Sequence, residues 1–150
     1  MIKNISEMDP KVQYRFTHFT EIIRELKIPF QIIETLRPQE VQDAYYAQGR
    51  KPVNIVNALR DKVGLYLITE DENTIITQAK ISKHTSGLAM DAAPFWPWYS
   101  IDWNVSTLAA SAPWHVLGNI ARECGISWGG DWTPKNSVGI GWDAPHFEVV

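Results

Sequence analysis

The sequence contains 150 residues, carries a formal net charge of −3 and is 45% hydrophobic, which is the size and composition of one soluble globular domain. It has no block of Lys or Arg that could neutralise a run of phosphates, so we expect no nucleic-acid partner. Cys124 is the only cysteine, which excludes an internal disulfide and any structural zinc site that needs two thiolates. We therefore expect one domain over residues 1–150, present as a monomer.

The N-terminal residues, MIKNISEMDPKVQ, lack the apolar core of a signal peptide. No stretch reaches the ~18 consecutive apolar residues of a membrane span. The sequence therefore predicts synthesis in the cytoplasm without membrane insertion. A substrate outside the cell would be reached only after release by another agent, such as a membrane pore or cell lysis.

The first third of the chain predicts a helix, a strand and a second helix. Asp9 and Pro10 suit the N-cap and first residue of the first helix. The apolar stripe that follows at spacings of three and four consists of Val12, Phe16, Phe19, Ile23 and Leu26. The apolar run at 30–35 suits a buried strand, and residues 38–49 suit a helix. Arg37 lies at the turn between them, where side chains tend to face a cleft.

The middle of the chain is less regular. Residues 53–63 have helical spacing, and Thr69 with Glu72 fits a capping box at the start of a helix. From Ile75 the pattern changes to β-branched residues. The segment SKHTSGLAMDAAPF then suggests a loop that enters a strand, because small residues alternate with polar ones.

The last third combines an irregular stretch with a helix and short strands. Residues 95–103 are rich in tryptophan and have no period, which predicts an irregular surface segment. Residues 113–123 read as a helix, with Gly125 suited to the C′ position. A strand at 126–128, a GGDW turn and a closing strand at 146–150 complete the chain. Without a regular βαβ alternation, this order favours an α+β fold.

Three residues match the donor set of a catalytic zinc site, which usually has three protein ligands drawn from His and Asp or Glu. They are His84, Asp91 and His146. A loop followed by a strand can bring His84 and Asp91 to one metal, and His146 would arrive on the closing strand. Small residues at Gly87 and Ala89 let the backbone pass close to a metal.

Two further side chains suit the chemistry around such a metal. Asp143 lies three residues before His146, where a carboxylate can take a proton from the attacking water and pass it to the leaving amine. Arg37 offers a fixed positive charge to the oxyanion of an attacked carbonyl. Taken singly these residues are weak signals, since such side chains are common on surfaces. His18 and His115 are expected to be ordinary helix residues.

The wider string around these positions is more specific. The segment from Ser82 to Asp91 has the form S-x-H-x-x-G-x-A-x-D, and D-A-P-H follows downstream. This resembles the D-alanyl-D-alanine carboxypeptidase and L-alanyl-D-glutamate endopeptidase family of zinc peptidases. The segments ETLRPQEVQ, QGR at residues 48–50 and ISWGGDW are similar to further motifs of that family. The resemblance covers Phe30 to the C-terminus.

The resemblance implies a fold, a cofactor and a role for each site residue. The implied fold is α+β, with the metal on a small antiparallel sheet flanked by helices, as in Hedgehog-like and D-Ala-D-Ala peptidase domains. The implied cofactor is Zn²⁺, and the partner is the stem peptide of bacterial peptidoglycan. The residues that carry over are His84, Asp91 and His146 as zinc ligands, Asp143 as general base and acid, Arg37 as the group that polarises the carbonyl, and Arg37 with Ser82 in substrate binding.

The motif also bears on specificity. The base is an Asp in D-A-P-H, as in the endopeptidase branch, which favours an L-alanyl-D-glutamate endopeptidase acting as a phage endolysin. The alternatives are a D-alanyl-D-alanine carboxypeptidase or dipeptidase, and a non-catalytic, zinc-containing wall-binding module. Two departures affect substrate recognition: Thr35 replaces a common Gly, and residues 51–73 are longer than the usual link.

The chain has seven tryptophans, an unusual number for its length. We expect Trp128, Trp132 and Trp142 to lie in the core. The other group in question consists of Trp96, Trp98 and Trp103. These residues suit either packing or the flank of a glycan or peptide groove, and the sequence does not distinguish the two.

Overall fold

The computed structural model describes residues 1–95, 103 and 105–150. Helix α1 spans Pro10–Glu25 and begins as predicted, because the Asp9 carboxylate accepts a hydrogen bond from the backbone N–H of Lys11. Its buried face consists of Val12, Phe16, Phe19, Thr20 and Ile23. Leu26 was expected on this stripe but lies at the C-cap and is 59% exposed.

In the part of the chain that the structure describes, three further α-helices follow α1. They are α2 (Gln39–Ala47), α3 (Val53–Lys62) and α4 (Leu108–Glu123). Helix α4 begins five residues before the predicted start at Pro113, because Thr107 caps it by accepting from the N–H of Ala110. Pro113 has no N–H, so the carbonyl of Ala109 four residues earlier lacks its helical partner. Ala109 is exposed, so water can bind that carbonyl, and the proline is tolerated inside the helix. Gly125 follows the helix with φ of 70°, as expected of a C′ glycine.

Among the described residues, four short strands form one antiparallel sheet in the order β1-β2-β4-β3. Their bounds are β1 Phe30–Glu34, β2 Ala89–Pro94, β3 Ser127–Trp128 and β4 His146–Glu148. The combination of these α-helices with this sheet confirms the predicted α+β class. The central strand β2 pairs with both β1 and β4, so side chains from three distant segments meet on its open face.

The core lies between the sheet and the pair of helices α1 and α4. Phe147 of β4 points into it, and its ring lies 5.1 Å from that of Phe19 on α1. Trp114 and Trp128 are also fully buried, so the core prediction for Trp128 is confirmed. Because side chains alternate along a strand, the two neighbours of Phe147, His146 and Glu148, face away from this core.

Residues 65–88 contain no helix and no strand. Thr69 and Glu72 do form the local contact of a capping box, since the Glu72 carboxylate accepts from the N–H of Thr69 at 2.7 Å. No helix follows, so the predicted helix start is wrong. The contact closes an isolated turn instead, as side-chain to backbone bonds often do.

The tryptophan-rich segment is described only in part. Residues 96–102, which include Trp96, Trp98 and most of the predicted irregular stretch at 95–103, lie outside the described residues. Trp103 is described and is 56% exposed. None of the helices in the described part of the chain has the length and apolar character needed to cross a membrane.

Candidate metal centre and catalytic cleft

The candidate metal site forms where β2 and β4 run side by side. Asp91 of β2 and His146 of β4 are direct partners in the antiparallel register. His84 comes from the turn that precedes β2, which closes through the bond from the N–H of Gly87 to the carbonyl of His84 at 3.2 Å. Gly87 has φ of 68°, and a Cβ there would lie 2.7 Å from the nitrogen of Asp9. Glycine is therefore required for this loop to pack against the N-terminal segment.

The three side chains place their donor atoms close together. His84 Nε2 lies 3.1 Å from Asp91 Oδ1, and His146 Nδ1 lies 3.3 Å from the same oxygen. All three candidate ligand atoms lie within 4.8 Å of one another. His84 and His146 are buried, with side chains 3% and 9% exposed. The sequence-predicted triad is thus brought together in space.

In each imidazole, the ring nitrogen that does not face Asp91 donates a hydrogen bond to an acceptor. His84 Nδ1 donates to the backbone carbonyl of Thr35 at 2.9 Å, and His146 Nε2 donates to Glu148 Oε2 at 2.9 Å. These acceptors fix the tautomers, so in the neutral rings His84 Nε2 and His146 Nδ1 present lone pairs towards Asp91. Two lone pairs facing a carboxylate repel one another unless a cation or added protons lie among them. The arrangement is that of metal-ligating histidines oriented by outer acceptors.

The donor chemistry fits zinc. Two imidazole nitrogens and one carboxylate oxygen form a set that suits Zn²⁺ and leaves a coordination position open, whereas Mg²⁺ and Ca²⁺ prefer oxygen alone. Burial disfavours the charged form of Asp91, but hydrogen bonds from His146 and His84 outweigh it and hold the pKa of the carboxyl well below its usual range. Burial likewise opposes the imidazolium of His146, yet its contact with Asp91 raises the pKa of the ring.

Thr35 ties the site to the N-terminal segment. This residue is fully buried, and its carbonyl orients His84. Its N–H donates to the carbonyl of Ile2 at 2.7 Å, and its hydroxyl contacts the carbonyls of Ile2 and Asn4. A glycine could supply the carbonyl but not the hydroxyl. The departure noted in the sequence therefore serves packing beneath the metal site.

A cleft of about 630 Å³ opens above the three candidate ligands. Asp143 lines it from the turn before β4, where its own carbonyl accepts from the N–H of His146 at 3.1 Å. Gly129 permits this approach, since a Cβ there would lie 2.1 Å from the carbonyl oxygen of Asp143. Burial raises the pKa of the Asp143 carboxyl, although the nearby histidines oppose the shift. A carboxylate with a raised pKa beside a metal site is suited to accept and return a proton.

Arg37 lines the same cleft, as predicted from its place after β1. Its guanidinium forms an ion pair with the buried carboxylate of Glu34, through both Nε and Nη2, and Nη1 donates to Gln42 Oε1 at 2.7 Å. The guanidinium also lies 5.1 Å from the ring centroid of Tyr45. A guanidinium has five N–H donors, so one N–H on each terminal nitrogen remains for another acceptor. Arg37 is thereby held in a fixed orientation.

Ser82 also lines the cleft, and its hydroxyl oxygen accepts from the N–H of His84 at 3.2 Å. The prediction that His115 lies outside the site is confirmed, because it belongs to α4 and contacts the carbonyl of Val138.

The core prediction for Trp142 is wrong. Its side chain is 66% exposed and lines the cleft, while Trp132 is half-buried between Trp142 and His146, with ring centroids 5.0 Å and 5.2 Å away.

Two functional side chains were not identified from the sequence. Glu148 lies two residues after His146, so both side chains fall on the same face of β4, and strand alternation alone could have indicated the contact. Glu34 lies three residues before Arg37, beside a register shift in β1 between Ile32 and Glu34, and the sequence pattern did not indicate that it pairs with Arg37. Irregular pairing of this kind leaves no signal in the hydrophobic pattern.

One family profile matches the part of the chain that contains the candidate site. The sequence profile of the family described as D-alanyl-D-alanine carboxypeptidase matches residues 76–149, which include all three candidate ligands and Asp143. A search of curated protein sequences found no significant match.

Several solved structures share the fold. The L-Ala D-Glu endopeptidase ChiX of Serratia marcescens is 22% identical, with a TM-score of 0.53, over 98% of this chain and 84% of that protein. The LD-carboxypeptidase LdcB is 13% identical, with a TM-score of 0.58, over 95% of this chain and 59% of that protein. VanYB, solved in complex with D-alanine-D-alanine, is 14% identical, with a TM-score of 0.50, over 95% and 71%. At these identities the likeness concerns the fold.

The profile match and the buried cluster of two histidines and an aspartate agree with the motifs read from the sequence. Residues 76–149 thus resemble the D-alanyl-D-alanine carboxypeptidase family, and the buried cluster of two histidines and an aspartate within them fits the zinc site of a metallopeptidase.

Proposed function

We propose that this chain is an L-alanyl-D-glutamate endopeptidase that acts on the stem peptide of bacterial peptidoglycan. The observation that carries the proposal is the convergence of His84, Asp91 and His146 at the floor of a cleft that Asp143 and Arg37 also line. A zinc ion held by His84, Asp91 and His146 would supply a Lewis acid for the scissile carbonyl and make water acidic enough to attack near neutral pH.

Asp143 carries the proton in this scheme. Its carboxylate accepts a proton from the attacking water as the oxygen bonds to the carbonyl carbon. The same proton then passes to the amine as the carbon–nitrogen bond breaks, which leaves a new carboxyl group and a new amino terminus. Burial raises the pKa of Asp143, so the protonated form is accessible when the amine leaves.

Arg37 stabilises the oxyanion that forms on the attacked carbonyl. Its ion pair with Glu34 and its bond to Gln42 fix the guanidinium before substrate binds. Donors fixed in this way cost no reorganisation during the reaction. Ser82 lies beside them in the cleft wall, where its hydroxyl can bind the substrate backbone.

The charge around Arg37 favours an internal bond over a terminal one. A carboxypeptidase must bind a free terminal carboxylate, which calls for an uncompensated cation, whereas an internal amide is neutral. Glu34 compensates the charge of Arg37, so the remaining N–H groups of Arg37 act as fixed donors to the carbonyl oxygen and not as the counter-ion of a free carboxylate. The Asp in D-A-P-H is typical of the endopeptidase branch, and the fold is shared with the Serratia L-Ala D-Glu endopeptidase.

One observation supports a second candidate, a D-alanyl-D-alanine carboxypeptidase. Lys83 also lines the cleft, and it forms no ion pair with any other described residue. Its ammonium could bind a terminal carboxylate. The description of the matching family profile names this activity.

The biological role that we propose is that of a phage endolysin. The protein would act as a monomer and reach the wall from the host cytoplasm after a holin-type pore forms or the cell lyses. Expression in a bacterial host with and without a pore-forming protein tests this role. Lysis that requires the pore is expected, and lysis that is independent of it would contradict the role.

Digestion of purified peptidoglycan distinguishes the two activities. Mass spectrometry of the products should detect new N-terminal D-glutamate, and the Asp143→Asn variant should release none. Release of free D-alanine with the L-alanyl-D-glutamate bond intact would instead assign the carboxypeptidase activity, and Lys83→Met should then raise the KM for the terminal substrate.

A further inference from the structure

A second cavity of about 520 Å³ adjoins the catalytic cleft. Trp142 lines both, and it precedes the proposed base Asp143 in the chain. The rest of the wall is mostly apolar and includes Trp103, Trp114 and Ile140. Pockets that enclose small molecules are typically ~300–1,000 Å³ and mostly apolar, with a few polar groups. This cavity has those properties.

Two of its tryptophans have free surface. Trp103 is 56% exposed and Trp142 is 66% exposed, whereas Trp114 behind them is fully buried. The ring of Trp103 lies 5.9 Å from that of Trp114, so one side of Trp103 is supported by the core. Trp142 packs against Trp132, which is half-buried beside the cleft. Large exposed aromatic surfaces grouped at a cavity are typical of a binding site.

The substrate of the proposed activity has a sugar close to the scissile bond. In peptidoglycan, L-alanine is joined by an amide bond to the lactyl group of N-acetylmuramic acid. One residue of extended chain spans ~3.5 Å, so cleavage after L-alanine places the sugar about one residue from the attacked carbonyl. Cleavage before the terminal D-alanine of a pentapeptide would place it four residues away, on the order of 14 Å.

The chemistry of this sugar suits the cavity. Its lactyl carboxyl is consumed in the amide, so the saccharide is neutral and needs no counter-ion. The C–H face of a pyranose ring packs on an aromatic ring, while hydroxyl and acetamido groups seek polar partners at the edge. Lys135 provides one such partner at the cavity. Its side chain is 42% exposed, and its Nζ lies 3.8 Å from Asp131 Oδ1.

We propose that the cavity between Trp103 and Trp142 is a subsite for the N-acetylmuramic acid residue of the glycan strand, contiguous with the catalytic cleft through Trp142. This inference rests on the proposed endopeptidase activity. It explains why two large aromatic side chains remain exposed at a cavity next to the catalytic cleft. It also means that the enzyme binds the sugar and the peptide of its substrate at the same time.

The test compares two soluble substrates, the muramyl tripeptide and the same tripeptide without sugar. The parent enzyme should have the higher kcat/KM for the muramyl form. Trp103→Ala should lower this preference roughly tenfold, the size of one lost stacking contact, and Trp103→Phe should retain most of it. Tyr14→Ala is the matched control, because Tyr14 is an aromatic residue 64% exposed that lines neither cavity. Equal kcat/KM for both substrates, or an unchanged preference in Trp103→Ala, overturns the subsite.

Binding separates failure of the subsite from failure of the proposed function. The zinc-loaded Asp143→Asn variant is titrated with both compounds by calorimetry, with and without Trp103→Ala. If neither compound is cleaved by the parent, the endopeptidase specificity is wrong. The subsite still stands if the muramyl form binds more tightly and Trp103→Ala removes the difference, and it is overturned if the two bind alike.

Discussion

Glu148 is predicted to set the zinc affinity of the site without binding the metal. The substitution Glu148→Ala removes the acceptor for His146 Nε2, a contact of 2.9 Å between side chains that are only 16% and 9% exposed. The ring would then be free to rotate and to change tautomer, and its Nδ1 would be a weaker donor. Apart from His84, Asp91 and His146, no side chain of the described residues bears more directly on the metal ligands.

The magnitude follows from the shielding of this contact. A hydrogen bond to a charged partner is worth about 1.5–3 kcal/mol, and this one is largely screened from water. Since ~1.4 kcal/mol corresponds to tenfold in a dissociation constant, Glu148→Ala should weaken zinc binding by about 10–100-fold. Glu148→Gln keeps an acceptor oxygen but loses the charge, so its effect should be smaller.

Competition with a chromophoric chelator at fixed neutral pH measures the dissociation constant directly. Circular dichroism of the metal-free variants checks that the fold is retained. Glu21→Ala on the exposed side of α1 is the matched control and should bind zinc as the parent does. If Glu148→Ala bound zinc within about twofold of the parent, the contact would not orient His146 in solution, and the reasoning would be refuted.

Four further outcomes are expected. Removal of zinc with a chelator should abolish peptidoglycan hydrolysis, and added zinc should restore it; activity after verified metal removal would contradict the mechanism. Asp143→Asn should keep stoichiometric zinc by atomic absorption and lose about 10²–10⁴-fold in kcat, so near-parent turnover would make Asp143 structural. His84→Ala should lose both zinc and activity, whereas His115→Ala should lose neither. Zinc should raise the melting temperature more at mildly alkaline than at mildly acidic pH. The reason is that the contact with Asp91 raises the pKa of His146, and protons compete with the metal below that pKa. An equal rise in melting temperature at both pH values would contradict this.

The three candidate ligands could be predicted because two of them share one short motif. His84 and Asp91 are separated by a fixed loop that Gly87 and Ala89 make possible, and such local spacing is visible in a sequence. The arrival of His146 depended on the register between β2 and β4, which the sequence alone does not specify. The family resemblance supplied this third ligand, and the fold brings it to the other two. Their role as ligands remains a prediction.

The errors fall where hydrophobic periodicity gives no information. Trp142 was expected in the core because it is large and apolar, but it lies in an irregular turn whose exposure no period predicts. The start of α4 was missed because Pro113 is usually read as a first helical residue, whereas the stronger signal was Thr107 at the N-cap. Thr69 and Glu72 matched a helix start but close an isolated turn, since a capping contact is local and does not require a helix.

The contacts of Thr35 connect metal affinity to the order of residues 2–9. Ile2 and Asn4 bind Thr35, whose carbonyl orients His84, and the N–H of Asp9 donates to the carbonyl of Gly87 in the same loop at 3.0 Å. Thermodynamic coupling is reciprocal, so a zinc ion that rigidifies the loop must also slow amide exchange in this segment. Proteolysis or a bulky fusion that loosens residues 2–9 would correspondingly weaken zinc binding. We therefore expect the order of residues 2–9 to influence zinc binding although none of these residues is a candidate ligand.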